Sequence, residues 1–298
     1  MPREKKIISE YHLNQHQPDK SQFAIHDLGD YLKKHQGHTT APHIHSYYQV
    51  IWFTNGNGKH FVDFKAYEVN PNSIFFVTKN QVHYFDDKLN YEGILIHFND
   101  SFLGEKENAI DSLVKRNLFN NLYQSPFCCI DHDIKELLNN YILLIKRELA
   151  GDRRFGQKEL LRAYLNAFLI QVQRKKDESE QTGNNKAFAL DEKRNRLMHF
   201  MDLLDKHYNT ALTVSEYANL MHMSTRTLSD LTAQQLNKTP SLMIKERIIL
   251  EAQRLLFHST LNVNQIGYHL GFEDPSYFVK YFKKHTGISP LEFRKSIA

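Results

Sequence analysis

The chain is poor in cysteine, and the two it has, Cys128 and Cys129, are neighbours. Adjacent cysteines are badly placed for a structural disulfide, and no further thiols stand nearby to make a thiolate metal site. The opening stretch from Met1 to Glu10 has no apolar core of the kind a secretory signal needs. No apolar run approaches the ~20 residues required to span a bilayer. Together these absences argue against a secreted, disulfide-stapled or membrane-bound protein. The expected setting is the cytoplasm, with no membrane partner.

Excess charge is also scarce, a net of +4 over 298 residues, and its location matters more than its size. From Lys186 to Ala298 there are 15 Lys and Arg against 11 Asp and Glu, so the whole excess lies there and the rest is neutral. A basic balance confined to one end is what contact with phosphates requires. Length suggests two domains, and 41% hydrophobic residues suffice for a core in each.

What is present, in that basic part, is a unit written twice. Leu212 and Val214 recur 49 positions later as Leu261 and Val263, and after one inserted residue Thr239-Pro240 is echoed by Ser289-Pro290. Each copy reads as a short helix, a tight turn and a second helix. In the first, Thr213 caps a helix burying Val214, Tyr217 and Ala218. The chain turns at His222-Met223, and Ser224 caps a second helix burying Leu228 and Leu231. In the second, Gly271 makes the turn, Asp274 is the cap and Pro275 takes the first helical position. Asn237 and Gly287 follow the two second helices, as left-handed C-terminal residues do. This is helix-turn-helix patterning, at about 213–236 and 262–285, in which the second helix enters the DNA major groove.

Helical hairpins without nucleic acid share such patterning. Two features favour DNA. Residues 241–258 read as one connecting helix, with Leu242, Ile249, Ala252, Leu255 and Leu256 available for burial. Its length of ~27 Å could hold two recognition helices about one DNA turn, ~34 Å, apart. In addition, Lys280, Lys283 and Lys284 fall along the second recognition helix.

The stretch Ile266-Gly-Tyr-His-Leu-Gly-Phe-Glu-Asp-Pro-Ser-Tyr-Phe-Val-Lys-Tyr-Phe-Lys-Lys-His-Thr-Gly-Ile-Ser-Pro-Leu-Glu-Phe-Arg294 resembles the C-terminal signature of the AraC/XylS type of transcription regulator. The likeness covers residues 190–298 and implies seven helices bound to one face of a promoter. By motif, it implies Arg226, Ser229 and Asp230 as base-facing residues of the first recognition helix, and Ser276, Tyr277 and Lys280 of the second. Arg226 suits guanine and Lys280 suits guanine or phosphate. Asp230 departs from the pattern, since phosphates repel an acid. Thr232, Ala233 and Gln234 replace an aromatic and basic run, so the second module is expected to supply most of the affinity.

The polar stretch 177–189 reads as a linker. Before it, about 131–176, lie two amphipathic helices: Ile134, Leu137, Leu138, Tyr141, Ile142, Ile145 and Leu149 mark one stripe. Leu160, Leu161, Tyr164, Leu165, Phe168, Leu169 and Val172 mark the other. Either both stripes pack on their own domain or one is given to a partner subunit. In the family such a hairpin often makes the dimer contact, and a homodimer is expected.

Residues from about Ser21 to Phe102 are β-rich. Tyr47 to Phe53 is a strand, Asn55 to Gly58 a turn and His60 to Phe64 the returning strand. Ser73 to Val77 and Gly93 to Phe98 continue the pattern, which suggests a barrel or jelly roll. The spacing of Gly37, His43, His45, Gln49 and Gly56 resembles the first cupin motif, and His83 matches the histidine of the second. The fold class expected is therefore α+β: an N-terminal cupin-like β-barrel with an αα-hairpin over 1–176, then an all-α domain with two helix-turn-helix modules.

Alternation places His43, His45, Tyr47 and Gln49 on one face, pointing into the barrel. With His83 they form an effector pocket. His43, His45, Gln49 and His83 could also hold a divalent metal, although Gln49 stands where a glutamate would supply the anionic ligand. The other reading is a metal-free pocket with no cofactor required. The remaining histidines look scattered, with His199, His207 and His258 at the surface. Residues 1–20 are either an arm that closes on ligand or, by default, a disordered tail.

Two functions follow from these parts. One is a one-component transcription regulator, not an enzyme, that binds promoter DNA and a small-molecule effector. Activation, with a contact to RNA polymerase, is the commoner mode in the family. The other is a cupin metalloenzyme with a helical appendage, drawing an acid or base from Glu68 or Glu92.

Overall fold

The computed structural model describes residues 9–14, 22–88, 90–103, 117–119, 123, 125–151, 155–180 and 187–296. The chain divides into two compact units, one of residues 9–184 and one centred on 185–298.

The N-terminal unit faces two five-stranded sheets against each other, as the strand pattern predicted. One sheet runs β1 (Ser9–Tyr11), β3 (His43–His45), β8 (His83–Phe85), β5 (Gly58–Val62), β6 (Lys65–Val69). The other runs β10 (Phe127–Cys129), β7 (Ser73–Val77), β4 (Tyr48–Asn55), β9 (Glu92–Phe98), β2 (Phe23–Asp27). Strand β4 is apolar from Val50 to Phe53 because both of its faces are covered there. Ile51 and Phe53 join Phe75, Val77 and Leu95 in one core, while Val50 and Trp52 join Ile74, Phe76 and Ile96 in another.

Three short helices, α1 (Leu28–Lys34), α2 (Gln36–Thr39) and α3 (Asp100–Leu103), lie among the strands, and the second core is closed by α4 (His132–Ala150) and α5 (Gln157–Glu180). Leu138, Ile142 and Ile145 of the first, and Leu161, Leu165, Phe168 and Val172 of the second, are buried against the outer face of that sheet. The amphipathic stripes are therefore used within their own domain. Leu143, 61% exposed, and Leu144 lie off the buried stripe.

Three sequence expectations are corrected. The turn at residues 55–58 does not make a hairpin, because β4 pairs with β7 and β9 whereas β5 pairs with β6 and β8 in the other sheet. The tight hairpin comes later, at Asp63-Phe64, both with positive φ, where the returning strand was expected to continue. Residues 9–11 are not tail but a strand paired in parallel with β3, Tyr11 opposite His45; residues 1–8 and 15–20 lie outside the described residues. Finally, α5 runs through the first residues of the expected linker to Glu180, and the next helix opens at Ala187. Arg174, Lys175, Lys176 and Glu178 are good helix formers that extend the helix past the last apolar turn of its buried stripe.

The C-terminal unit has seven helices among the described residues: α6 (Ala187–His207), α7 (Val214–Leu220), α8 (Thr225–Leu236), α9 (Pro240–His258), α10 (Val263–His269), α11 (Pro275–Thr286) and α12 (Pro290–Ser296). The sequence repeat is a repeat of backbone chemistry. Thr213 and Glu216 form a capping box at α7, and Asn262 and Gln265 form the same box at α10, 49 positions on. His222 (φ 54°) and Gly271 (φ 83°) make the corresponding turns, again 49 apart. Glycine is required at the second, since a Cβ there would lie 2.3 Å from the Asn209 carbonyl oxygen. Asn237 and Gly287, both left-handed, end α8 and α11.

The connecting helix α9 packs on α8, α10 and α11. Its buried face includes Met243, Ile248, Ala252, Leu255 and Leu256, but Leu242 is 40% exposed and Arg247, Glu251 and Arg254 are buried instead. These charges satisfy one another: Arg247 donates to Asp205 of α6 at 2.5 Å and to Glu251 at 2.9 Å, and its guanidinium lies over the Tyr208 ring.

Candidate functional site

Two places in the molecule carry chemistry. The first is the exposed face of the paired second helices. In α8, Leu228, Leu231 and Thr232 are buried, which turns Arg226 and Asp230 to solvent, with Ser229 partly covered. In α11, Phe278 and Phe282 are buried in a core with Ile266, Leu270 and Leu256. Ser276, Lys280 and Lys283 follow at i, i+4 and i+7 along the opposite, exposed face, flanked by Tyr277 and Lys284. Ser229 donates its hydroxyl to the Thr225 carbonyl at 2.8 Å, leaving only its acceptor lone pairs. Thr232 is fully buried. Gln234 is bonded to Lys193. A cavity of about 480 Å³ lined by Tyr208, Tyr217, Ile248, Phe272, Tyr277 and Tyr281 adjoins the second of these faces.

The second place is inside the barrel. Pairing of β3 with β8 sets His43 opposite His83, and alternation along β3 adds His45. The three rings form a triangle with centroid separations of 4.4 Å (His43–His83), 4.8 Å (His43–His45) and 4.8 Å (His45–His83). One ring nitrogen from each lies within 4.8 Å of the others. Tyr47, at the bend after β3, packs on His45 and His97, and Gln49 follows on β4. The structure thus brings His43, His45, Tyr47 and His83 together. Gln49 is buried as expected, but its amide donates to His97 Nε2 at 2.8 Å. Its buried side-chain oxygen Oε1 has no hydrogen-bond partner.

Three residues of the pocket were not anticipated. His60 on β5 lies against His83, His97 on β9 against Tyr47, and the Tyr11 ring against both His43 and His45. These histidines are not scattered. Along β5 burial alternates, with Gly58, His60 and Val62 the inward positions. His199 is exposed and His207 and His258 lie at the boundary, as expected.

Burial governs the electrostatics. Desolvation holds His43 at about 4, His60 and His97 at about 3, and His45 and His83 well below the ordinary imidazole value. All five rings are therefore neutral at physiological pH. For His43 a hydrogen bond to the Ala41 carbonyl opposes the shift. Both ring nitrogens of His45, His60 and His83, and the Tyr11 hydroxyl, are buried without a hydrogen-bond partner. Unpaired buried polar atoms are costly, so this concentration marks a place where a ligand belongs.

The acid or base that an enzyme would need does not join them. Glu68 is exposed and paired with Lys59, and Glu92 is exposed at the start of β9. Both point away from the barrel interior.

Known proteins were compared next. Residues 31–163 match the family described as the AraC-like ligand binding domain, and residues 217–296 match a helix-turn-helix domain. The chain belongs to the AraC family of transcription regulators. It is a DNA-binding regulator with a ligand-binding domain rather than an enzyme. Among its relatives, the transcriptional activator RhaS of Escherichia coli O157:H7 (strain EC4115) is 23% identical over 85% of this chain and 87% of its own. The activator RhaR of Cronobacter sakazakii is 22% identical over 86% and 87%. ToxT from Vibrio cholerae, of known structure, has 16% identity over 92% of this chain and 97% of its own, with a TM-score of 0.43. No described helix is long and apolar enough to cross a membrane.

Proposed function

We propose that this regulator binds a small-molecule effector in the histidine-lined barrel and that the bound state changes its affinity for promoter DNA. The carrying observation is the set of buried, partnerless nitrogens on His45, His60 and His83 in a domain joined to tandem helix-turn-helix modules. An effector shifts DNA affinity only by its differential affinity for the two states, so the pocket must be coupled to the readers.

On the DNA side, Arg226, Ser229 and Asp230 read one groove segment and Ser276, Tyr277 and Lys280 the next, with Lys283 and Lys284 on phosphates. The reading is supported by their exposure on one face of each second helix. The protein acts in the cytoplasm as an activator in contact with RNA polymerase, in keeping with the activators it resembles. It works as a homodimer, and the exposed Leu143, Leu144 and Leu160 are apolar side chains of the hairpin open to a second copy.

The test begins with a panel of small molecules screened for a rise in the unfolding midpoint followed by Trp52 fluorescence. Trp52 is the single tryptophan and is fully buried in the barrel domain. A compound that acts on wild type and not on His83→Ala is expected to change promoter affinity about 5-fold or more, the low end of measured couplings. A compound that occupies the pocket and leaves DNA affinity unchanged would overturn the reading.

A further inference from the structure

We propose that His43, His45 and His83 bind one divalent first-row transition-metal ion, and that the effector completes its coordination with an anionic oxygen donor. The first half stands on the donor set and its second shell. The second half rests on the effector reading given above.

A hydrogen bond fixes the tautomer of His43. Its Nδ1 lies 2.8 Å from the Ala41 carbonyl oxygen, which can only accept. The proton is therefore on Nδ1, and the Nε2 lone pair is left free, the arrangement found in metal-ligating histidines. His45 and His83 are neutral and hold lone pairs with no protein donor to fill them. Metal–nitrogen bonds of ~2.0–2.1 Å need the three nitrogens to draw closer than their present spacing. Rotation of the rings about χ2, a soft torsion for histidine, supplies that movement. Three imidazoles and no carboxylate select a d-block ion over calcium or magnesium.

The missing negative charge points to the effector. Among the described residues, the groups that could ligate an ion here are His43, His45 and His83, with no carboxylate beside them. Gln49 is neutral and engaged with His97. Three neutral ligands would leave a dipositive ion in a buried site, which is costly unless an anion accompanies it. The Tyr11 hydroxyl, buried and partnerless, belongs to a ring 5.5 Å from His43 and 5.6 Å from His45. It is placed to donate to such an anion. The site thus differs from one in which the protein supplies its own anionic ligand: metal and effector bind together.

The experiment titrates Co(II) into chelator-treated full-length protein and follows the visible d–d absorption, with acetohydroxamate as a bidentate anionic oxygen probe. One Co(II) per chain is expected, with a spectrum that changes when acetohydroxamate is added. His45→Ala and His83→Ala are each expected to weaken Co(II) binding by at least about tenfold, whereas substitution of the exposed histidine of the C-terminal unit, His199→Ala, keeps the stoichiometry. Trp52 unfolding curves in chelator establish that each variant is folded. Absence of stoichiometric Co(II) in wild type, or its retention by the His45→Ala/His83→Ala double variant, would overturn the metal site. A spectrum indifferent to acetohydroxamate would overturn the anionic half. If the metal-free protein still changes its DNA affinity with an organic effector, the metal proposal falls and the effector reading stands. A bound Co(II) with no effector response of any kind reverses that outcome.

Discussion

Gln49 and His97, on neighbouring strands of one sheet, meet through a buried hydrogen bond of 2.8 Å from the glutamine amide to His97 Nε2. That bond orients the imidazole and leaves the buried Gln49 Oε1 without a partner. Replacing Gln49 with leucine removes the donor and leaves His97 unpaired in the core. A loss of ~1–3 kcal/mol is expected for a buried group so orphaned. Urea unfolding followed by Trp52 fluorescence measures it, and a stability equal to wild type would count against the bond.

The barrel's neutral histidines set a pH dependence. His60 and His97 are held at about 3 in the folded state, against about 6.5 when unfolded. Below pH ~6.5 the unfolded chain therefore binds protons that the folded chain refuses, and stability must fall as pH drops towards 3. Each such histidine adds at most ~1.4 kcal/mol per pH unit to the slope. Trp52-monitored unfolding in chelator between pH 7.5 and 4.5 is expected to show this loss, less steep in His60→Phe. A flat profile would mean that the rings are hydrated.

The DNA face separates base readers from phosphate contacts. Arg226→Ala and Lys280→Ala are expected to cost ~1–3 kcal/mol on the cognate promoter where the contact is to a base. Lys283→Ala is expected to weaken binding on all sequences and flatten the dependence of log K on log salt. Fluorescence anisotropy at several salt concentrations distinguishes the two patterns. Asp230→Asn removes a charge that phosphates repel, so it is expected to raise non-specific affinity.

In the connecting helix, Arg247 is buried between Asp205 and Glu251. Arg247→Ala leaves Glu251 buried with the more distant Arg254, 3.7 Å away, as its ion-pair partner. A destabilisation of ~3–5 kcal/mol is expected for a broken buried pair, seen as a lower melting temperature by far-ultraviolet circular dichroism. Arg247→Met, which fills the space, is expected to lose less per buried atom than alanine.

Legibility in the sequence tracked how local each feature is. Ser224, Asp274, Pro275, Gly271, Asn237 and Gly287 act within one turn of themselves, and all six sit where their chemistry predicted. His60 and His97 reach the pocket only through pairing between distant strands, so neither spacing nor composition exposed them. The Asp63-Phe64 hairpin was hidden because phenylalanine rarely takes positive φ, while the glycine-rich 55–58 segment carried the turn signal but crosses between sheets. Leu242 was misjudged since helical periodicity alone did not reveal that α9 would bury Arg247 and Glu251 as an ion pair. The strand at residues 9–11 has only three residues and no alternation long enough to read.

Hydroxyl-radical footprinting of the full chain on its promoter tests the central claim most directly. Two protected patches on one face of the duplex, centred ~10–10.5 base pairs apart, are expected, with Arg226→Ala erasing one and Lys280→Ala the other. Protection of a single patch, or loss of both patches from either substitution alone, would contradict the assignment of one module to each groove.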